Sequence, residues 1–111
     1  MLEVPFHRDA RKRLASIQAD GHAEAASYGK DVICAAASAI LQAARLGLEE
    51  HCRLDVEADQ RSGHFRLAWP AKARGDAAVQ AIVATAELSI AAIAKQYPSH
   101  VRIRRRLART G

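Results

Sequence analysis

Residues 31–48 read DVICAAASAILQAARLGL. Ile33, Ala37, Ile40, Ala44 and Leu48 recur three or four positions apart, the spacing of one helix face. Alanine fills most positions between them, so this helix is apolar nearly all round and reads as buried on more than one side. Its small side chains let a neighbouring element approach closely. Asp31 opens the stretch as a candidate N-cap, able to accept hydrogen bonds from the orphan N–H groups of a first turn.

On the N-terminal side, Leu2, Val4 and Phe6 alternate with Glu3, Pro5 and His7, the period of a half-buried strand. Pro5 lacks an N–H, which points to an edge strand. A turn at Arg8–Arg11 containing Asp9 leads to Ala15, Ile17 and Ala19, which alternate again. The two pieces read as a hairpin. Residues 21–30, with Gly21 and Gly29 near their ends and no sustained period, read as a loop.

On the C-terminal side, Leu54, Val56 and Ala58 alternate, residues 59–63 turn, and Phe65, Leu67 and Trp69 return as a second hairpin. Asp76 caps a second helix with the stripe Val79, Ile82, Ala86, Ile90, Ile93 and Tyr97, stopped by Pro98. Val101 and Ile103 suggest a short last strand, followed by a frayed basic tail. The order ββαββαβ predicts an α/β single-domain sandwich over residues 1–111: one mostly antiparallel sheet, with two helices on its faces.

The chain has 111 residues and a formal charge of +5, with 17 basic and 12 acidic side chains. That length suits one domain. The balance of apolar and charged residues excludes disordered and collagen-like classes. A basic chain first suggests nucleic acid. The surplus, however, is local. Arg102, Arg104, Arg105, Arg106 and Arg109 lie in an acid-free end, and without them the basic and acidic counts are equal. The ordinary role of such a run is a solvated surface. Two cysteines, Cys34 and Cys52, exclude a disulfide scaffold and fit a reducing compartment. Residues 1–6 lack the order of a secretory signal, and no apolar run is expected to reach the ~18 residues of a bilayer span. The expected setting is cytoplasmic, with no membrane partner.

Cys34 is the first candidate for chemistry. With Asp31 as N-cap it is the third residue of the helix, where the positive end of the dipole favours a thiolate. The competing role is a small buried hydrophobe. His22 lies in the loop entering the same helix, and a base beside a thiol is what nucleophilic cysteine catalysis requires; a loop histidine is otherwise simply solvated. Asp31 is either a pure cap or a third member that orients the imidazole.

The run Gly21-His22-Ala23, then Tyr28-Gly29-Lys30-Asp31-Val32-Ile33-Cys34-Ala35-Ala36-Ala37-Ser38-Ala39, resembles the signature of the bacterial ribosomal-processing cysteine proteases. That family shows GHA, a fixed gap, G-x-D, two β-branched residues and C-A-A-x-S-A; the spacing here matches without insertion. The chain length and the Tyr97-Pro98 pair before a last strand are also similar to the family's. The resemblance implies a cysteine endopeptidase that removes the N-terminal extension of a large-subunit ribosomal protein, the twenty-seventh by convention, during ribosome assembly. Cleavage would follow a short hydrophobic motif containing Phe. It further implies Cys34 as nucleophile, His22 as general base and acid, and Asp31 as supporting carboxylate. Ser38, one turn after Cys34 on the same face, would line the site with Gly21, Ala23 and Gly29. A homodimer and a mobile loop hinged at Gly21 and Gly29 are implied too, and no cofactor. Two positions depart from the pattern: Glu24 stands where the family usually has Gly, and Ala37 where it usually has Val.

Other signals are weaker. His51, Cys52 and His64 lack metal-ligand spacing. Phe65 and Trp69 on one strand face suit a core better than base stacking. The rival to the protease is a non-enzymatic module that grips RNA or a ribosomal partner through its arginines, with steeply salt-dependent binding. RNA contact through the C-terminal arginines is also compatible with the enzyme, as a secondary partner.

Overall fold

The computed structural model describes residues 1–21 and 27–108, and for residues 27–31 the backbone alone. Seven principal elements follow in the expected order. Strands β1 (Leu2–Arg8) and β2 (Leu14–Gly21) form the first hairpin, and helix α1 (Ser27–Leu46) continues into a wide helical turn over Gly47–His51. Strands β3 (Glu57–Arg61) and β4 (His64–Ala68) form the second hairpin. A short 3₁₀ turn at Ala71–Ala73 then leads to helix α2 (Ala77–Gln96) and strand β5 (Val101–Leu107).

The five strands form one sheet in the order β3-β4-β2-β1-β5. Three neighbouring pairs are antiparallel, and β5 runs parallel to β1. Alternation sends Leu2, Val4, Phe6, Ile17, Ala19, Phe65, Leu67, Trp69 and Val101 to one face. There they meet Ile33, Ala37, Leu41 and Ala44 of α1 and Val79, Val83, Ala86 and Ile90 of α2 in a single core. Both helices therefore cover the same face. The sequence suggested helices on the sheet's faces; here the opposite face is open and carries the polar half of each alternation, including Glu3, His7, Gln18, Arg66, Arg102 and Arg104. Burying an aliphatic or aromatic side chain contributes about 1.5–3 kcal/mol, and Phe6, Ile17, Leu48, Leu67 and Ile90 are among the largest that are fully enclosed.

Close helix packing follows from small residues. A Cβ on Gly47 would lie 3.2 Å from Ile82, so the end of α1 can approach α2 because that carbon is missing. The expectation of no bilayer-length apolar run is corrected: by length and composition both helices suit a bilayer span, and each packs one face on the sheet. Asp76 caps α2 as expected, its Oδ1 accepting from the Val79 N–H at 3.0 Å. The Trp69 indole N–H donates to the Leu14 carbonyl at 2.9 Å with 3 % of the residue exposed, which closes it to base stacking.

Several boundaries differ from the sequence reading. β1 is a central strand, with β2 on one side and β5 on the other. It tolerates Pro5 because a proline removes a single ladder donor: the β1–β2 register runs through Leu2–Gly21 and Glu3–Asp20, then resumes at Phe6–Ile17. β3 starts at Glu57, so Leu54 and Val56 precede it as half-buried residues packed on the core, and it runs to Arg61, leaving a tight turn with Gly63 at φ +73. The arginine-rich end does not fray after Ile103. It pairs with β1 as far as Arg8–Leu107, and the Ala108 N–H donates to the Arg8 carbonyl at 2.8 Å.

Helix α1 also begins earlier, at Ser27, so Asp31 lies inside it and is not its N-cap. Gly29 is the reason for the misreading. A glycine within a helix costs about 1 kcal/mol against alanine, which a twenty-residue helix packed on a core absorbs.

Candidate active site

α1 delivers Cys34 and Ser38 to one side of a cavity of about 150 Å³. Leu2, Ala19, Ala37, Leu41 and Phe65 form its apolar wall, while Gln60, Arg61 and His64 supply polar groups, and Gly21 and Gly63 bring in backbone. Cys34 is half-buried and packs against the core. Ala37, one of the two departures, is 1 % exposed and belongs to both core and cavity wall. A larger residue there would narrow the space.

The end of β2 is pinned beside this cavity. The Gly21 N–H donates to the Gly63 carbonyl at 2.9 Å, and Gly21 has φ +94, a conformation open to glycine. A Cβ there would collide with the Met1 carbonyl oxygen, so the position admits no side chain without movement of the first strand. Gly21 is thus required by close packing as well as by its backbone angle.

The described residues bring Cys34, Ser38 and Gly21 to one place. Gly29 and Asp31 belong to α1 by their backbone. His22, Ala23 and Glu24 lie outside the described residues. The expectation that Cys34 is the third residue of its helix, at the positive end of the dipole, is corrected: Cys34 is the eighth residue of α1, beyond the first turn where that effect acts. In a helix interior each N–H is committed to the carbonyl four residues back, so these groups are not available as oxyanion donors.

His64 has a role that its sequence position concealed. Its Nδ1 lies 2.6 Å from Asp20 Oδ1, across the β2–β4 pair, and its Nε2 lies 3.6 Å from Asp59 Oδ2 on β3. Asp20 accepts a further bond from Gln18 Nε2 at 3.2 Å. This network ties three strands together at the end of the sheet where the cavity opens. The alternating register would have placed Asp20 opposite His64 only after the two hairpins were known to pair. His51 and Cys52 line a separate cavity with Leu54, Lys72 and Asp76, apart from His64. Among the described residues no cluster of three or more His, Cys, Asp or Glu side chains is placed to hold a metal.

A second set of ionic contacts holds the far end of the sheet to α2. Arg8 donates through both terminal nitrogens to Glu87, at 2.7 and 2.8 Å, and Arg105 Nε lies 3.4 Å from the same carboxylate. The Arg8 hydrogen bond outweighs the effect of burial and holds the Glu87 carboxyl below its ordinary value. In the β1–β2 turn, burial pushes Asp9 up. The N–H groups of Arg13 and Arg11 and the Arg13 guanidinium together overcome this and hold its carboxyl low. Both sites are structural and remote from Cys34.

Cys34 is thus a half-buried cysteine on a helix, facing an apolar cleft beside the pinned Gly21. A family model described as "Cysteine protease Prp" matches residues 1–102, and the chain belongs to that family. Ribosomal processing cysteine protease Prp of Staphylococcus aureus strain Mu50 is 31% identical over 106 residues, covering 93% of this chain and 97% of the relative. The fold is shared with the crystal structure of an essential ribosomal processing protease Prp from S. aureus in complex with a covalently linked product peptide. The TM-score is 0.84 at 23% identity, over 95% of this chain and 99% of that one. A crystal structure of SMU.848 from Streptococcus mutans has a TM-score of 0.83 at 24% identity, over 97% and 96% of the two chains. This protein is therefore a cysteine protease of the ribosomal-processing family.

Proposed function

We propose that this protease removes the N-terminal extension from a precursor of the twenty-seventh large-subunit ribosomal protein, cutting after a short hydrophobic motif that contains Phe. The observation that carries the reading is the placement of Cys34 on an apolar cleft walled by Leu2, Leu41 and Phe65, which suits a large apolar side chain next to the scissile bond. In this mechanism the Cys34 thiolate attacks the peptide carbonyl carbon. His22, having taken the thiol proton, returns it to the leaving amine as the C–N bond breaks, and a thioester remains. His22 then takes a proton from water, whose oxygen attacks the thioester; the new carboxyl end leaves and the thiol is restored. Asp31 supports the imidazolium, and Ser38, Gly21, Ala23 and Gly29 line the substrate path. The expected experiment is cleavage of a synthetic peptide carrying the extension, followed by mass spectrometry. Equal cleavage by Cys34→Ala sinks the mechanism. Faster iodoacetamide labelling of Cys34 than of Cys52, lost in His22→Ala, supports the pairing.

The same reading places the enzyme in the cytoplasm, where its precursor is made, and as a homodimer. Val32, Leu46 and Leu88 are more than half exposed on the helical layer. A groove between the helices is lined by Ile40, Ala44, Ile82 and Ala86. Such an apolar surface fits a second copy of the chain. Sedimentation at micromolar concentration that gives only the monomer mass rules the dimer out.

A further inference from the structure

Among the described residues no helix lies over the open face of the sheet, and the charges there are unevenly distributed. Because β5 is a strand through Leu107, alternation separates its arginines. Arg105 turns to the helical side and joins Glu87. Arg102, Arg104 and Arg106 lie on the open side, two residues apart, which places successive side chains ~6.6 Å from one another along the strand. That step is close to the one between neighbouring phosphates of a nucleic-acid chain. Among the described residues a single acid answers them on this half of the face: Glu3 lies 3.7 Å from Arg102 and 3.6 Å from Arg104. Arg106 makes no ion pair among the described residues.

The centre of the face registers the same positive field. His7, paired with Arg106 across β1–β5, is held below the ordinary histidine value by burial, then by Arg106 and Arg66, against its hydrogen bond to Gln18. It is therefore neutral at pH 7, with an N–H engaged by Gln18. The turn between β1 and β2 adds exposed Arg11 and Lys12 at the same end. Two alternative partners fit less well. Binding to an anionic membrane gains from apolar side chains that insert beside the charges, and the described residues on this half offer only Pro5, which is buried. An acidic protein surface does not require evenly spaced guanidinium forks, which match phosphate oxygens two at a time.

We infer that the open face formed by β1 and β5 is a binding surface for the phosphate backbone of single-stranded RNA, with Arg102, Arg104 and Arg106 as its contacts. Exposed aromatic residues are absent from this half among the described residues, so bases have nothing to stack on and binding is indifferent to sequence. The surface lies on the opposite side of the sheet from the helical layer that carries Cys34, so RNA binding and peptide cleavage are separable. The inference does not rest on the protease reading.

The test is fluorescence anisotropy of a labelled single-stranded RNA about a dozen nucleotides long, titrated with the full chain over a salt series. Three phosphate contacts predict that log K falls by about 2 per tenfold rise in salt, at roughly 0.7 per contact. Arg104→Gln and Arg106→Gln each lower the slope by about 0.7, Arg106→Lys keeps it, and Arg45→Gln, in the helical layer, leaves it unchanged. Cleavage of the free extension peptide by Arg104→Gln/Arg106→Gln stays at the wild-type rate. Lack of saturable RNA binding at low salt overturns the inference, as does a double variant with the wild-type slope. Tighter binding to phosphatidylserine vesicles or to a polyglutamate peptide than to RNA also overturns it. A chain that binds RNA in this way and fails to cut the peptide sinks the protease mechanism and leaves this surface standing.

Discussion

The two helices have the same length, twenty residues each, and a similar alanine-rich make-up, yet they are used differently. α2 starts from the Asp76 cap and lays Val79, Val83, Ala86 and Ile90 on the sheet, with Glu87 clamped by two strand arginines. Its inward face is entirely structural. α1 buries Ile33, Ala37, Leu41 and Ala44 on the same core and leaves Cys34 and Ser38 at a cavity mouth between them. Near Cys34 it also leaves Val32 and Ala35 exposed. One amphipathic pattern thus packs α2 on the sheet and, in α1, also brings the proposed nucleophile Cys34 to a cavity.

The comparison is sharpened most by the change with the largest effect. Cys34→Ala should reduce peptide cleavage by about 10⁴-fold or more, as loss of a covalent nucleophile does, with an unchanged thermal melt. A variant that loses its fold would show α1 to be as structural here as α2. Next in size, Ile90→Ala removes a fully enclosed side chain and should cost about 2–5 kcal/mol in urea unfolding. The residual native fraction should still cleave peptide at the wild-type specific rate.

The Glu87 clamp predicts a pH signature in the same unfolding assay. Its folded carboxyl lies below the ordinary 4.5, so its stabilisation is complete above that value. It is lost as pH falls from there through the folded value. Glu87→Gln should flatten the acid limb of stability relative to wild type; parallel limbs would remove the clamp from the account. The smallest effect belongs to the cap: Asp76→Ala should cost about 1 kcal/mol, read as a shift in urea midpoint without a change in cleavage.

What could be read from the chain follows from how local each cause is. The α2 cap and its stop before Pro98 are determined by neighbours within a few residues and were legible. Of the expected stripe, Val79, Ala86 and Ile90 are buried, whereas Tyr97 is exposed past the helix end and Val83 takes a core place the stripe did not give it. The α1 start was not, because Gly29 breaks the pattern locally and the packing that tolerates it is distant. Pro5 implied an edge; only the arrival of β5, nearly the whole chain away, makes β1 central. Cys34, Ser38 and Gly21 were singled out by their spacing in sequence, and the structure brings them to one cavity, which fixes their neighbourhood without assigning their roles. The Asp20–His64 contact was invisible because its partners are 44 positions apart and neither carries a local signal.

The parallel pairing of β1 with β5 joins Leu2 to Val101, so the first strand made is completed by the last. During synthesis β1 can pair with β2 at once, but its other side stays open until Leu107 has emerged. Closure is therefore a long-range event late in folding, of the kind that slows the approach to the native state. While it is pending, Val4 and Phe6 belong to an unfinished sheet with an unpaired edge, the state most open to misassembly. The arginines of β5 then bring charge to the edge that remains after closure, discouraging the sheet from pairing with a neighbour's.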